Sequence, residues 1–215
     1  MKKIMFNDKY GLTEAVLNGK KTMTRRIIPI DLYNQTDWKA VTEGDFEAVA
    51  DGEGDYHDIR RCGMYKEDEV VAIAQKYWDL RKDDAFYEAL EKADPSFPLE
   101  CIKGEKGCHN KMFVKADWMP HRIRITDVKV ERLQDISDED VYKEGFIKES
   151  VNNGWGNAAW HWEAMLTYMD YLGRYKHIRS ENPKEAFSFL IDKVCGNGTW
   201  DSNPWVFAYS FELIK

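Results

Sequence analysis

Leu12, Ala15 and Val16 repeat at helical spacing, and Gly19 follows where a helix C-terminal cap would sit. Residues 3 to 7 before them read as a short strand, and Met23 to Ile30 after them as extended chain. Glu69 to Tyr77 is rich in β-branched residues and predicts a strand buried on both faces at its start. Residues 82 to 92 predict a helix, closed by Pro95 and Pro98. From Arg122 to Leu133 apolar and polar positions alternate, with Ile123 and Ile125 on one face. The alternation resumes at Val128 and Val130 after Thr126-Asp127. Such a phase slip predicts a bulge or corner of the kind that bends a sheet into a barrel. Ser137 with Asp140 three residues on resembles a capping box and predicts a short helix over 138–144. Asn182-Pro183 supplies the start of a helix whose buried stripe is Phe187, Leu190, Ile191 and Val194 and which ends at Gly196. The last strand, Trp205 to Leu213, puts Trp205, Phe207, Tyr209, Phe211 and Leu213 on one face.

Two stretches break the pattern. Residues 31 to 64 are polar, glycine-containing and weakly periodic, and read as an insertion. Residues 151 to 180 crowd Trp155, Trp160, Trp162, Tyr168, Tyr171 and Tyr175 into a segment read as an amphipathic helix packing on its own core, with a nucleobase-stacking platform as the alternative. No internal repeat, low-complexity tract, glycine-rich phosphate loop, GxSxG or HExxH motif occurs, which removes several common hydrolase classes.

An apolar fraction of 43% in 215 residues is enough for a proper core, and the length fits one decorated domain better than two. The formal net charge of −7 argues against a long electrostatic track on duplex nucleic acid, although a pocket for one nucleotide is compatible with it. The start lacks the apolar run of a signal peptide and no stretch approaches a membrane span, so a cytoplasmic protein with no membrane partner is expected. The four cysteines then read as free thiols. Cys101, Cys108, His109 and His121 could be imagined around zinc, but the gap between the cysteines fits neither common zinc spacing, and no metal or other cofactor is expected.

Against this acidic background, Gly19-Lys20-Lys21-Thr22-Met23-Thr24-Arg25-Arg26 places four cations and two hydroxyls just after a predicted helix. A solvated basic turn is the plain reading. Yet Lys21 and Thr24 are close enough for an amine to reach a hydroxyl, and Arg25 and Arg26 would make Lys21 easier to deprotonate. The segment supplies parts for hydroxyl attack or for anion binding.

That motif, the strand entry Lys66-Glu67-Asp68-Glu69-Val70-Val71, the run Ile125 to Ile136 and the ending Trp200-Asp201-Ser202-Asn203-Pro204-Trp205-Val206 together resemble ASCH-domain proteins, most closely those of phages and prophages. The resemblance implies an α+β, PUA-like fold: a bent, mostly antiparallel β-barrel with flanking helices, here a single domain over 1–215 with inserts at about 31–64, 79–118 and 151–180. It implies binding of RNA or a nucleotide through a basic Lys/Thr/Arg cleft, with Lys20, Thr22, Arg25 and Arg26 as the contacts. One branch, the small bacterial N4-acetylcytidine amidohydrolases, uses a lysine, a threonine and a glutamate, and Lys21, Thr24 and Glu144 match them. The alternative expectation is therefore an amidohydrolase acting on a modified nucleoside. In it neutral Lys21 takes the Thr24 proton, Arg26 stabilises the oxyanion and Glu144 protonates the departing amine. A protein-interaction module is the third reading. Two departures from the family pattern are Asp68 in place of a strand-entry glycine and Gln75 in place of an acidic residue.

Overall fold

A computed structural model describes residues 1–53, 55–151, 160–170 and 172–214. The chain runs β1 (Lys3–Ile4), α1 (Leu12–Leu17), β2 (Met23–Ile27), α2 (Ile30–Asn34), α3 (Trp38–Glu43), β3 (Glu47–Ala50), β4 (Tyr56–Asp58), β5 (Val70–Ile73), α4 (Tyr77–Leu80) and α5 (Asp84–Ala93). It continues through β6 (Arg122–Arg132), α6 (Asp138–Lys143), β7 (Ile147–Val151), β8 (Trp160–Met169), β9 (Tyr175–Ser180), α7 (Pro183–Cys195), α8 (Thr199–Ser202) and β10 (Trp205–Ile214). The class is mixed α+β, as the motifs implied. Three predicted extended segments are shorter than their apolar runs: β1 stops at Ile4, β2 at Ile27 and β5 at Ile73.

The main sheet has the order β1-β5-β6-β10-β2. β1 pairs parallel with β5 and the other neighbours are antiparallel. β6 and β10 form its spine. Ser210 faces Asp127 and Phe211 faces Ile125, so Thr126 is the extra residue of a bulge at the position where the alternation slipped. The sheet is rolled: Arg26 on edge strand β2 donates from Nη2 to the carbonyl of Met5, just past the opposite edge strand β1, at 2.5 Å. A flat five-stranded sheet would hold those edges about 19 Å apart, beyond an arginine's reach. Among the described residues no backbone ladder joins β1 to β2, and the Arg26 side chain spans the seam between these two edges of the curled sheet.

Phe187 and Leu190 of α7 join Ile4, Phe6, Ile123, Ile125, Phe207, Tyr209 and Phe211 in the main core. The stretch read as a polar insertion at 31–64 contributes Val41, Ala48, Val49 and Ile59 to that core. The 79–118 insert builds a second cluster, in which its Leu80, Phe86, Leu90, Val114 and Trp118 join the flanking Tyr77 and Met119 on Ala72 and Ala74.

The expected helix at 151–180 is absent, apart from residues 152–159 and Tyr171, which lie outside the described residues. β7, β8 and β9 form a three-stranded antiparallel sheet there. The period decides it: Ala164, Leu166 and Tyr168 alternate toward the core, and aromatic residues fit a pleated, half-buried surface better than a helix. No helix among the described residues is long and apolar enough to cross a membrane.

Candidate functional site

Gly19 takes φ +70° and ends α1 with two bonds, its own N–H to Val16 O at 2.9 Å and the Lys20 N–H to Ala15 O at 2.8 Å. This left-handed cap turns the chain back on itself and sends the Lys21 side chain inward, where it is only 2% exposed. Against β2 packs α6, started by Ser137 Oγ accepting the Asp140 N–H at 3.1 Å and ended by Glu144 and Gly145. Gly145 has φ +108°, and a Cβ there would lie 3.4 Å from Lys21 Cβ. The Thr22 N–H donates to Lys143 O at 2.8 Å and clamps the two segments together.

These turns bring together groups more than a hundred residues apart in sequence. Lys21 Nζ donates to Glu144 Oε2 and, at 3.1 Å, to the Glu144 carbonyl. Arg25 Nη1 donates to Glu144 Oε1 at 3.1 Å, its Nη2 to Asp140 Oδ2 at 3.2 Å and its Nε to Glu131 Oε1 at 2.9 Å. Burial pulls the Lys21 amine below its ordinary value of 10.5; Glu144 opposes this, and Arg26 and Arg25 reinforce it. Burial also acts against the Arg25 charge, but Glu144 and Glu131 outweigh it and raise its basicity.

A cavity of about 780 Å³ opens beside this cluster, along the seam of the rolled sheet. Lys21, Thr24, Arg25, Arg26 and Glu144 all line it, so the three residues matched to the amidohydrolase set share one hollow. Thr24 is 5% exposed, and its hydroxyl makes no hydrogen bond among the described residues. Arg26 has no carboxylate partner among them either, its Nη2 bonding only Met5 O. No hydrogen bond joins Lys21 to Thr24 in this state.

Lys20 and Thr22, expected as contacts, do not line the cavity; Lys20 is exposed beyond the cap and the Thr22 backbone is used to tie β2 to α6. Arg25 reaches the wall, but three carboxylates occupy its donors, so it organises the site and is not free to grip a ligand. The sequence reading missed Glu131 as a partner and took Asp140 for a capping residue; only Ser137 caps, while the Asp140 carboxylate receives Arg25 and Lys143. It also missed the aromatic wall of Phe6, Tyr65, Phe187, Phe207 and Tyr209. The one available signal was the alternation of the last strand, which set Phe207 and Tyr209 on a common face. Gly63 allows that wall to close, because a Cβ there would come within 2.5 Å of the Tyr209 hydroxyl oxygen.

Elsewhere, His121 Nδ1 lies 2.7 Å from Gln75 Oε1, Cys108 is buried and Cys101 exposed, and among the described residues no His, Cys, Asp or Glu group of three or more is placed to hold a metal ion. Comparison with family models, with curated proteins and with solved structures finds no match to this chain.

Proposed function

We propose that the seam cavity is the active site of an amidohydrolase that removes an acyl group from the exocyclic amine of a modified nucleoside such as N4-acetylcytidine, on an ASCH-type, PUA-like scaffold. The observation that carries this reading is the meeting of a buried amine, a buried carboxylate and an unpartnered hydroxyl, Lys21, Glu144 and Thr24, on one hollow. Buried charges cost several kcal/mol each to desolvate, and in a cleft that expense is characteristic of a working site. Asp68 adds support for the scaffold: where the family has glycine it adopts φ +60°, a left-handed backbone that glycine takes freely.

In the proposed reaction Lys21, made less basic by burial, takes the Thr24 proton while Oγ1 bonds to the acyl carbon. The oxyanion faces the free donors of Arg26. The C–N bond breaks and the amine leaves with a proton returned through Glu144. Water then cleaves the acyl-threonine by the same steps in reverse, releasing a carboxylic acid and restoring the hydroxyl.

A second reading, a nucleotide- or RNA-binding module without turnover, is favoured by one feature: Lys21 Nζ bonds Glu144 and not Thr24. Incubation with N4-acetylcytidine separates the two. The enzyme yields cytidine and acetate, and Thr24→Val lowers turnover by about 10²-fold or more at unchanged fold. Saturable binding without any product favours the module, and unchanged turnover in Thr24→Val sinks the mechanism.

A further inference from the structure

The charged groups of the cavity, apart from Lys3, gather at its reacting corner, and most of the remaining lining is apolar. Of its charged lining residues, Lys21, Arg25 and Glu144 satisfy one another, and Lys3 donates to the carbonyls of Met112 and Val114 at 2.6 and 2.7 Å. At the reacting corner Arg26 and the Thr24 hydroxyl keep unused hydrogen-bonding capacity among the described residues. Beyond Phe187 the helix α7 adds Leu190, Ile191 and Val194 to the apolar lining.

The rim is apolar as well. Met5, Ile27, Met64 and Val194 line the opening and are 39, 45, 67 and 38% exposed. Apolar side chains held in water around a cavity mouth mark a surface that a ligand covers. A volume of about 780 Å³ is that of a drug-sized ligand site, much more than an acetyl group and one base would fill.

We infer that the site is built for N-acylated amines whose acyl part is a medium-length or aromatic hydrocarbon, with the acyl carbon at Thr24 and the hydrocarbon against the apolar lining of α7 and the aromatic wall. This rests on the amidohydrolase reading above. A series of N4-acylcytidines from acetyl through butyryl to hexanoyl and benzoyl tests it, with kcat/KM measured for each. Each buried methylene adds about fourfold, so hexanoyl exceeds acetyl by on the order of 10²-fold. Val194→Asp, a change at the exposed rim, lowers the hexanoyl-to-acetyl ratio at least tenfold. Cleavage of acetylcytidine with a flat or falling response to chain length overturns this inference and leaves the amidohydrolase reading intact. Cleavage of no member of the series overturns both.

Discussion

The segments Gly19–Arg26 and 147–180 both stand out by composition, one in cations and the other in aromatic rings, yet the fold uses them in opposite ways. The described part of the aromatic segment forms an ordinary antiparallel sheet, with Leu166 and Ile178 buried against the core. The basic segment becomes the site. Apolar burial is non-directional, so a ring is satisfied by any hydrocarbon neighbour and the segment needs no particular partner. A buried cation needs a specific anion at hydrogen-bonding distance, and Lys21 and Arg25 therefore determine where Glu144, Glu131 and Asp140 must lie.

That contrast can be broken most directly at Glu144. Glu144→Ala leaves Lys21 and Arg25 buried without their shared anion and lowers stability by about 3–5 kcal/mol, read by urea denaturation. A loss under about 1 kcal/mol would show that the cations find water instead. Next in size, Leu166→Ala in β8 costs about 2–4 kcal/mol by cavity formation. It leaves the amide cleavage proposed for the seam cavity unchanged per folded molecule, since Leu166 does not line that cavity; a parallel loss of cleavage would erase the distinction between the two regions. The smallest effect is in acid. Burial opposes the Asp140 charge, but Lys143 and Arg25 outweigh it and hold the carboxyl below its ordinary 3.8. A carboxyl depressed in the folded state contributes stability above 3.8 that is lost as pH falls through the folded value. Asp140→Asn flattens that acid limb in a pH series of melting temperatures, and an unaltered limb would remove Asp140 from the network.

Much of the fold could be read locally. The slip at Thr126-Asp127 marked the bulge, Gly19 the end of α1, and Asn182-Pro183 the start of α7. Residues 151–180 were misread because ring-rich composition was weighed above the two-residue alternation of Ala164, Leu166 and Tyr168. At the site, Lys21, Thr24, Glu144 and Arg26 were named from motifs, and the structure places all four on one cavity. Lys20 and Thr22 belong to the same motif, but chain neighbours on either side of a tight cap point in different directions, and neither lines the cavity.

The amino-acid order alone determined the periodicities, the caps and the presence of an amine, a hydroxyl and a carboxyl with latent chemistry, because these depend on contacts within a few residues. Tertiary structure decided which cations were buried, which acids neutralised them and which hydroxyl was left open. Those outcomes follow from desolvation and from charge pairing at about 3 Å, and such pairing joins Arg25 to Glu131 only once β2 and β6 lie on either side of β10, and to Glu144 only once α6 has packed on β2.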